Sequence, residues 1–450
     1  MRFPSVAQSI FLAAIVALAL ASAPARVAAQ AVVSTPDAPP LDATAVVAEV
    51  RRVIADRYVL PERRPALDAV LAEGLAGGRY AVSDPTELAE RIDADLARVG
   101  QDGHLNFRHD VNDARRLEAQ GSGDSAQGEP GDVSAYERQV RTLNHGVTDL
   151  RILPGNVRLM RYDGFHFIGD ETDQVLVEAM RFLSGGDAVI IDLRTNGGGS
   201  PQAVRQIISR FLPPDTPLVT FYMNGEAEPD ALSTLPDPLV GRMIGKPLYV
   251  LTSGGTASAA EEFTGHVLGY NLGEVVGANT AGAGFRNDIV PVAGQFLFSV
   301  SVGRAVLAST GKDWEAVGHA PTLPSPVPVA QDIAHLHALR RLATQAVGPD
   351  RAVLEATAEG VEARMTPRTP ARELAAYVGD YGGRAVRSEG DDLVYQRGDR
   401  APARLVPLGG DRFALEADPA TVLDFQGEGG TVLVIGRGDV TQGRFARSDD

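Results

Sequence analysis

The sequence contains no cysteine. Disulfides, thiol nucleophiles and thiolate metal ligands are excluded, and so is lipid attachment through a cysteine. Lysine is almost as scarce. Lys246 and Lys312 are the only two among 42 lysines and arginines, so any mechanism that needs a lysine base has two candidates. Basic charge is also in deficit, with a formal net charge of −16. A non-specific nucleic-acid binder needs a basic face to displace counterions, so that class is excluded. Past Ala29 no apolar run reaches the ~20 residues that a membrane-spanning helix needs.

What is present fits an ordinary globular protein, at 44% hydrophobic and 22% charged residues. The length of 450 residues allows two or three domains at about 150 residues each. Met1-Arg2 precedes an apolar run from Ile10 to Ala21 and a small-residue stretch ending Val27-Ala28-Ala29. That order is expected of a secretory signal peptide cleaved after Ala29. The expected location is therefore periplasmic or extracellular, with no stable membrane insertion after cleavage.

The pattern along the chain divides it further. Residues 30–42 read as a flexible lead-in rich in alanine and proline. Residues 43–118 read as a small helical domain, with Val46, Val47, Val50, Val53 and Ile54 at helical spacing and Asp84-Pro85 as a helix start. Residues 119–135 are a low-complexity loop. From residue 136 to 330 strands and helices alternate. The run Ala188-Val189-Ile190-Ile191-Asp192 has the continuous apolar character of a strand buried on both faces. Residues 331–366 read as a helical linker. Residues 367–450 carry short strands between glycine and aspartate turns and read as an antiparallel β domain. The fold class expected is α/β, a central sheet with flanking helices between a helical front and a β tail.

Five segments carry candidate chemistry. Thr256-Ala257-Ser258-Ala259-Ala260-Glu261 follows a buried strand and opens a helix. A serine there stands at the positive end of the helix, where N–H groups can stabilise an oxyanion; the same segment also reads as a plain helix cap. Asp192-Leu193-Arg194-Thr195-Asn196-Gly197-Gly198-Gly199 is a turn whose glycines permit close backbone approach. It lacks the spacing of a phosphate loop or a dinucleotide fingerprint, and no cofactor or metal is expected. His104, in Gln101-Asp102-Gly103-His104, has the near-neutral titration that suits a general base. Glu315, beside Trp314, offers a carboxylate to orient a histidine. The loop Gly277–Gly284 has enough glycine to wall a substrate groove, with Thr280, Gly282, Ala283 and Gly284 as candidates.

In this order, the segments resemble the tail-specific (C-terminal processing) protease family, whose ClpP/crotonase-like core is shared with tricorn protease and interphotoreceptor retinoid-binding protein. The resemblance covers roughly residues 45–325. It implies Ser258 as nucleophile, with an oxyanion hole from the N–H of Ala259 and that of Gly198 or Gly199. One branch of the family uses a lysine in the glycine loop, where this chain has Ala283. The tricorn-like branch, without a PDZ domain, uses a histidine from the helical front and a late glutamate, which places His104 and Glu315 in a triad with Ser258. In that branch a serine precedes the histidine, whereas here the residue is Gly103. The implied function is a serine-type peptidase acting on a peptide or protein substrate. The competing readings are a non-catalytic binder of apolar ligands on the same fold and an esterase.

Overall fold

The computed structural model describes residues 41–121, 135–238 and 241–448. The expected signal peptide, nearly all of the lead-in and most of the low-complexity loop lie outside the described residues.

Three helices open the described chain, Ala43–Arg57, Arg64–Ala76 and Pro85–Gly100. The first and third begin where the sequence supplies an aspartate cap. Asp42 accepts from Ala45 N–H, and Asp84 from Thr86 and Glu87 N–H with Pro85 in the first turn. The valines at helical spacing are all buried. They do not form a core of their own. Together with Leu67, Leu88 and Ile92 they pack on Phe296, Phe298 and Val300 of the long strand Phe296–Leu307.

That strand is the centre of an antiparallel sheet. It pairs with Asn106–His109, Pro217–Met223 and Phe285–Val292, and Asp230–Ser233 extends the edge. The second sheet runs in the order Leu323–Pro324, Glu274–Gly277, Leu248–Thr252, Ala188–Asp192, Val157–Tyr162, Val147–Leu153. All its pairings are parallel except the last. Every residue of Ala188–Asp192 is buried, as the apolar run predicts. Alternation sorts its side chains: Val189 and Ile191 join the core under Asp170–Ser184, Pro201–Ile208 and Ala259–Gly269. Ala188 and Ile190 face Ala330, Ala334 and Ala338 of the helix Ala330–Gln345.

The mixed α/β class with an antiparallel C-terminal sheet is what the sequence predicts. That last sheet is an eight-stranded meander between Gly379 and Ala446. The helix Gly348–Met365 joins it to the rest, packing Ala358 and Val361 on Leu336 and Leu339, and Ala363 on Val406 and Ala414.

Candidate active site

Ser258 stands between the strand Leu248–Thr252 and the helix Ala259–Gly269, with φ 54° and ψ −120°. Such a backbone is costly for a residue with a side chain and persists only where its surroundings fix it. They do so through two neighbouring turns. The Thr256 hydroxyl donates to Leu193 O at 2.8 Å, Ser253 Oγ to Arg194 O at 2.6 Å, and Ala257 N–H to Asn196 O at 3.1 Å. Asn196, fully buried, in turn donates to Tyr162 O at 2.8 Å.

The glycine turn comes directly against the serine. A methyl group on Gly198 would lie 2.7 Å from Ser258 Cβ and 3.0 Å from Ala259 N, so glycine is required for the approach. The Gly198 N–H is donated to Asn196 Oδ1 at 2.9 Å. That hydrogen is committed within the turn, and the absence of a side chain at Gly198 allows the contact with Ser258. The N–H groups of Gly199 and Ala259 have no backbone acceptor, and both residues line a cavity of about 350 Å³ that also contains Ser258.

Glu261, fully buried, is a group that motif reading passed over. Its carboxylate accepts from Ser258 N–H (3.0 Å), Thr280 Oγ1 (2.6 Å), Gly282 N–H (2.7 Å) and Ala283 N–H (2.8 Å). The glycine loop is thereby locked to the serine turn. Thr280, Gly282 and Ala283 thus give polar groups to Glu261, and of the four residues named for the groove Gly284 lines the cavity beside Ser258. The signal was the helix-start pattern of a serine with a glutamate three residues on.

Glu315 closes the loop from the other side. Its Oε2 accepts from Gly284 N–H at 2.6 Å and Phe285 N–H at 2.9 Å, and its Oε1 from Gly103 N–H at 2.9 Å. Burial pushes this carboxyl up to about 7; the three N–H donors pull it down, and the nearby Asp102 raises it. Gly103 itself touches the loop, since a methyl there would meet Ala283 Cβ at 3.1 Å and Cα at 3.2 Å. Of the two lysines, Lys246 donates to Ser184 and Gly186 carbonyls, and Lys312 is exposed.

Asp102, His104 and Glu315 offer side-chain atoms all within 4.8 Å of one another. Asp102 Oδ1 accepts from His104 N–H at 2.9 Å and from the Ser301 hydroxyl at 3.0 Å. Its Oδ2 is buried without a partner, and so is His104 Nδ1. Burial holds the His104 imidazole below its ordinary range, with the Asp102 charge pulling it back up. An imidazole so placed is neutral, a base, at pH 7. The sequence passed over Asp102. Glu315 meets the histidine segment through the backbone of Gly103, where the tricorn-like pattern has a serine. No hydrogen bond joins His104 to Ser258, and His104 does not line the cavity. Glu315 receives N–H donors on both oxygens, so its carboxylate is fixed by backbone groups on two sides.

Residues 155–325 match the model described as peptidase family S41. Residues 29–145 match the N-terminal domain of that family as found in eukaryotic interphotoreceptor retinoid-binding protein. The chain is thus similar to peptidase family S41 over these two stretches. A carboxyl-terminal-processing protease of Synechocystis sp. is 32% identical over 137 residues, 28% of this chain and 27% of the relative. The chain thus spans about a quarter of the length of that curated relative. Among solved structures, the photosystem II D1 C-terminal processing protease aligns over 64% of this chain and 94% of its own, at 17% identity and TM-score 0.41. The tricorn protease aligns over 70% of this chain and 36% of its own, at 12% identity and TM-score 0.38. The family match at residues 155–325 contains Gly199, Ser258, Glu261 and Glu315, and the N-terminal match contains Asp102 and His104. Among the described residues, no helix is long and apolar enough to cross a membrane.

Proposed function

We propose that this chain is an exported serine-type peptidase with Ser258 as nucleophile, His104 as its base and Glu315 as third member of the triad. The observation that carries the reading is the strained Ser258 turn at a cavity also lined by Ala259 and Gly199, whose N–H groups have no backbone acceptor among the described residues. In the reaction, His104 takes the Ser258 proton as Oγ adds to the peptide carbonyl carbon. The carbonyl oxygen becomes an anion held by the Ala259 and Gly199 N–H groups. Collapse of the adduct breaks the C–N bond, and His104 returns its proton to the leaving amine. Water, deprotonated by the same imidazole, then cleaves the acyl ester. Glu315 acts on this cycle by clamping Gly103 beside the loop that carries Gly284, while Asp102 supplies the charge that favours the imidazolium.

Purified full-length protein should cleave a denatured protein substrate, and Ser258→Ala should reduce turnover by about 10³-fold or more. A Ser258→Ala variant as active as wild type would overturn the assignment. Export is supported by the order Met1-Arg2, Ile10–Ala21, Val27-Ala28-Ala29. N-terminal sequencing of the secreted protein should begin at Gln30.

A further inference from the structure

The cavity beside Ser258 has a composition that the reaction itself does not explain. Its walls are Phe221, Phe285, Ala305 and Trp314, all at most 6% exposed. Its inner end carries Glu262, 3% exposed, the residue after the glutamate that locks the loop. Glu262 Oε1 has no hydrogen-bond partner. The nearest basic group is His266 Nε2 at 3.5 Å, out of line for a hydrogen bond. A buried carboxyl whose one basic neighbour is this poorly aligned costs stability, and its place at the cavity beside the nucleophile suits a ligand that completes it. At the open end the exposed Arg286 places its guanidinium 5.4 Å from the Phe221 ring centroid and makes no ion pair among the described residues. His104, which must reach the leaving nitrogen, is absent from the lining. That absence favours the acyl side of the bond to be cut.

Resting on the peptidase reading above, we propose that this cavity receives the substrate side chain immediately before the cleaved bond. We further propose that it selects a large uncharged side chain with a hydrogen-bonding tip, tyrosine above phenylalanine and both above lysine or arginine. The aromatic walls take the ring and Glu262 meets the hydroxyl. Burial raises the Glu262 carboxyl above its ordinary range against the pull of His266 and Arg286. A carboxyl hydrogen-bonds a phenol in either protonation state, accepting from its O–H and, when protonated, also donating to its oxygen. A cationic side chain would have to pass the guanidinium of Arg286. A site built to hydrogen-bond a hydroxyl discriminates strongly against the analogue that lacks it.

The test uses three peptides that differ only at the residue before the cleaved bond, with tyrosine, phenylalanine or lysine. Wild-type kcat/KM should be at least tenfold higher for tyrosine than for phenylalanine, and lowest for lysine. Glu262→Leu should bring the tyrosine-to-phenylalanine ratio to about one. Arg286→Gln, at an exposed position, should narrow the penalty on lysine. A second readout needs no turnover. Trp314 is the sole tryptophan and lines the cavity, so its selectively excited fluorescence reports occupancy. In the Ser258→Ala protein the tyrosine peptide should change that emission at about tenfold lower concentration than the phenylalanine peptide. Equal or reversed preference in both assays overturns the cavity assignment and leaves the peptidase reading standing. Preferential binding of the tyrosine peptide without wild-type cleavage supports the cavity assignment and overturns the peptidase reading.

Discussion

Gly103 donates its N–H to Glu315 Oε1 at 2.9 Å across 212 positions of sequence. This one bond ties the loop that presents His104 to the segment that carries Gly284, one of the residues at the cavity. It gives the late glutamate a task that can be separated from direct contact with the imidazole.

Replacing that carboxyl has a pH signature. Glu315 titrates at about 7 in the folded protein, against an ordinary 4.5. A carboxyl raised in this way favours the folded state while protonated. Its contribution is complete below the unfolded value and is lost as pH rises through the folded one. Wild-type thermal stability should therefore decline between about pH 4.5 and 7 more steeply than that of Glu315→Gln. Identical slopes in melts across that window would contradict the assignment.

The base should leave its mark on the rate profile. Because burial lowers the His104 imidazole, the acid limb of kcat/KM should have its midpoint below the ordinary 6.5. His104→Ala should reduce kcat by about 10²–10⁴-fold, the range typical of a lost general base. An acid limb that survives unchanged in the residual activity of that variant would assign it to another group.

Close approach at Gly103 is a steric claim and can be tested as one. Gly103→Ala puts a methyl 3.1 Å from Ala283 Cβ. The overpacked contact should lower stability by about 1–3 kcal/mol in urea denaturation. Adding Ala283→Gly should restore most of the loss. A double variant no better than the single one would show that the cost arises elsewhere.

Glu261→Gln replaces an acceptor of four hydrogen bonds with an amide that must point two N–H groups at other donors. The expected loss is about 1–3 kcal/mol. Peptide turnover should fall together with the denaturation midpoint, because the Ser258 turn and the glycine loop come apart. Full activity with unchanged stability would remove Glu261 from this role.

Local pattern carried much of the architecture. The buried valines of Ala43–Arg57, the apolar run that opens the fully buried Ala188–Asp192 and the serine at a strand-to-helix turn each declare themselves within a few residues. The antiparallel sheet around Phe296–Leu307 did not. The strands Asn106–His109 and Pro217–Met223 pair with it from far away in sequence, and the long strand is buried on both sides, so the alternation that betrays a half-exposed strand is missing. The same distance hid the polar wiring. Glu261 finds Thr280, Gly282 and Ala283 across 19 to 22 positions, so the loop read as a groove wall while its N–H groups were committed inward. Asp102 was quoted only as a neighbour of His104, because nothing local announces that its second oxygen is sealed from water.

The wiring of Glu261 and Glu315 also bears on when the protein becomes able to act. Glu261 finds its donors within 22 positions, whereas Glu315 reaches Gly103 only once segments 212 positions apart have met. The serine turn can thus close locally, while the placing of the histidine segment against the glycine loop waits on the long-range fold. On the reading proposed above, competence to cut would be set by that last, distant contact.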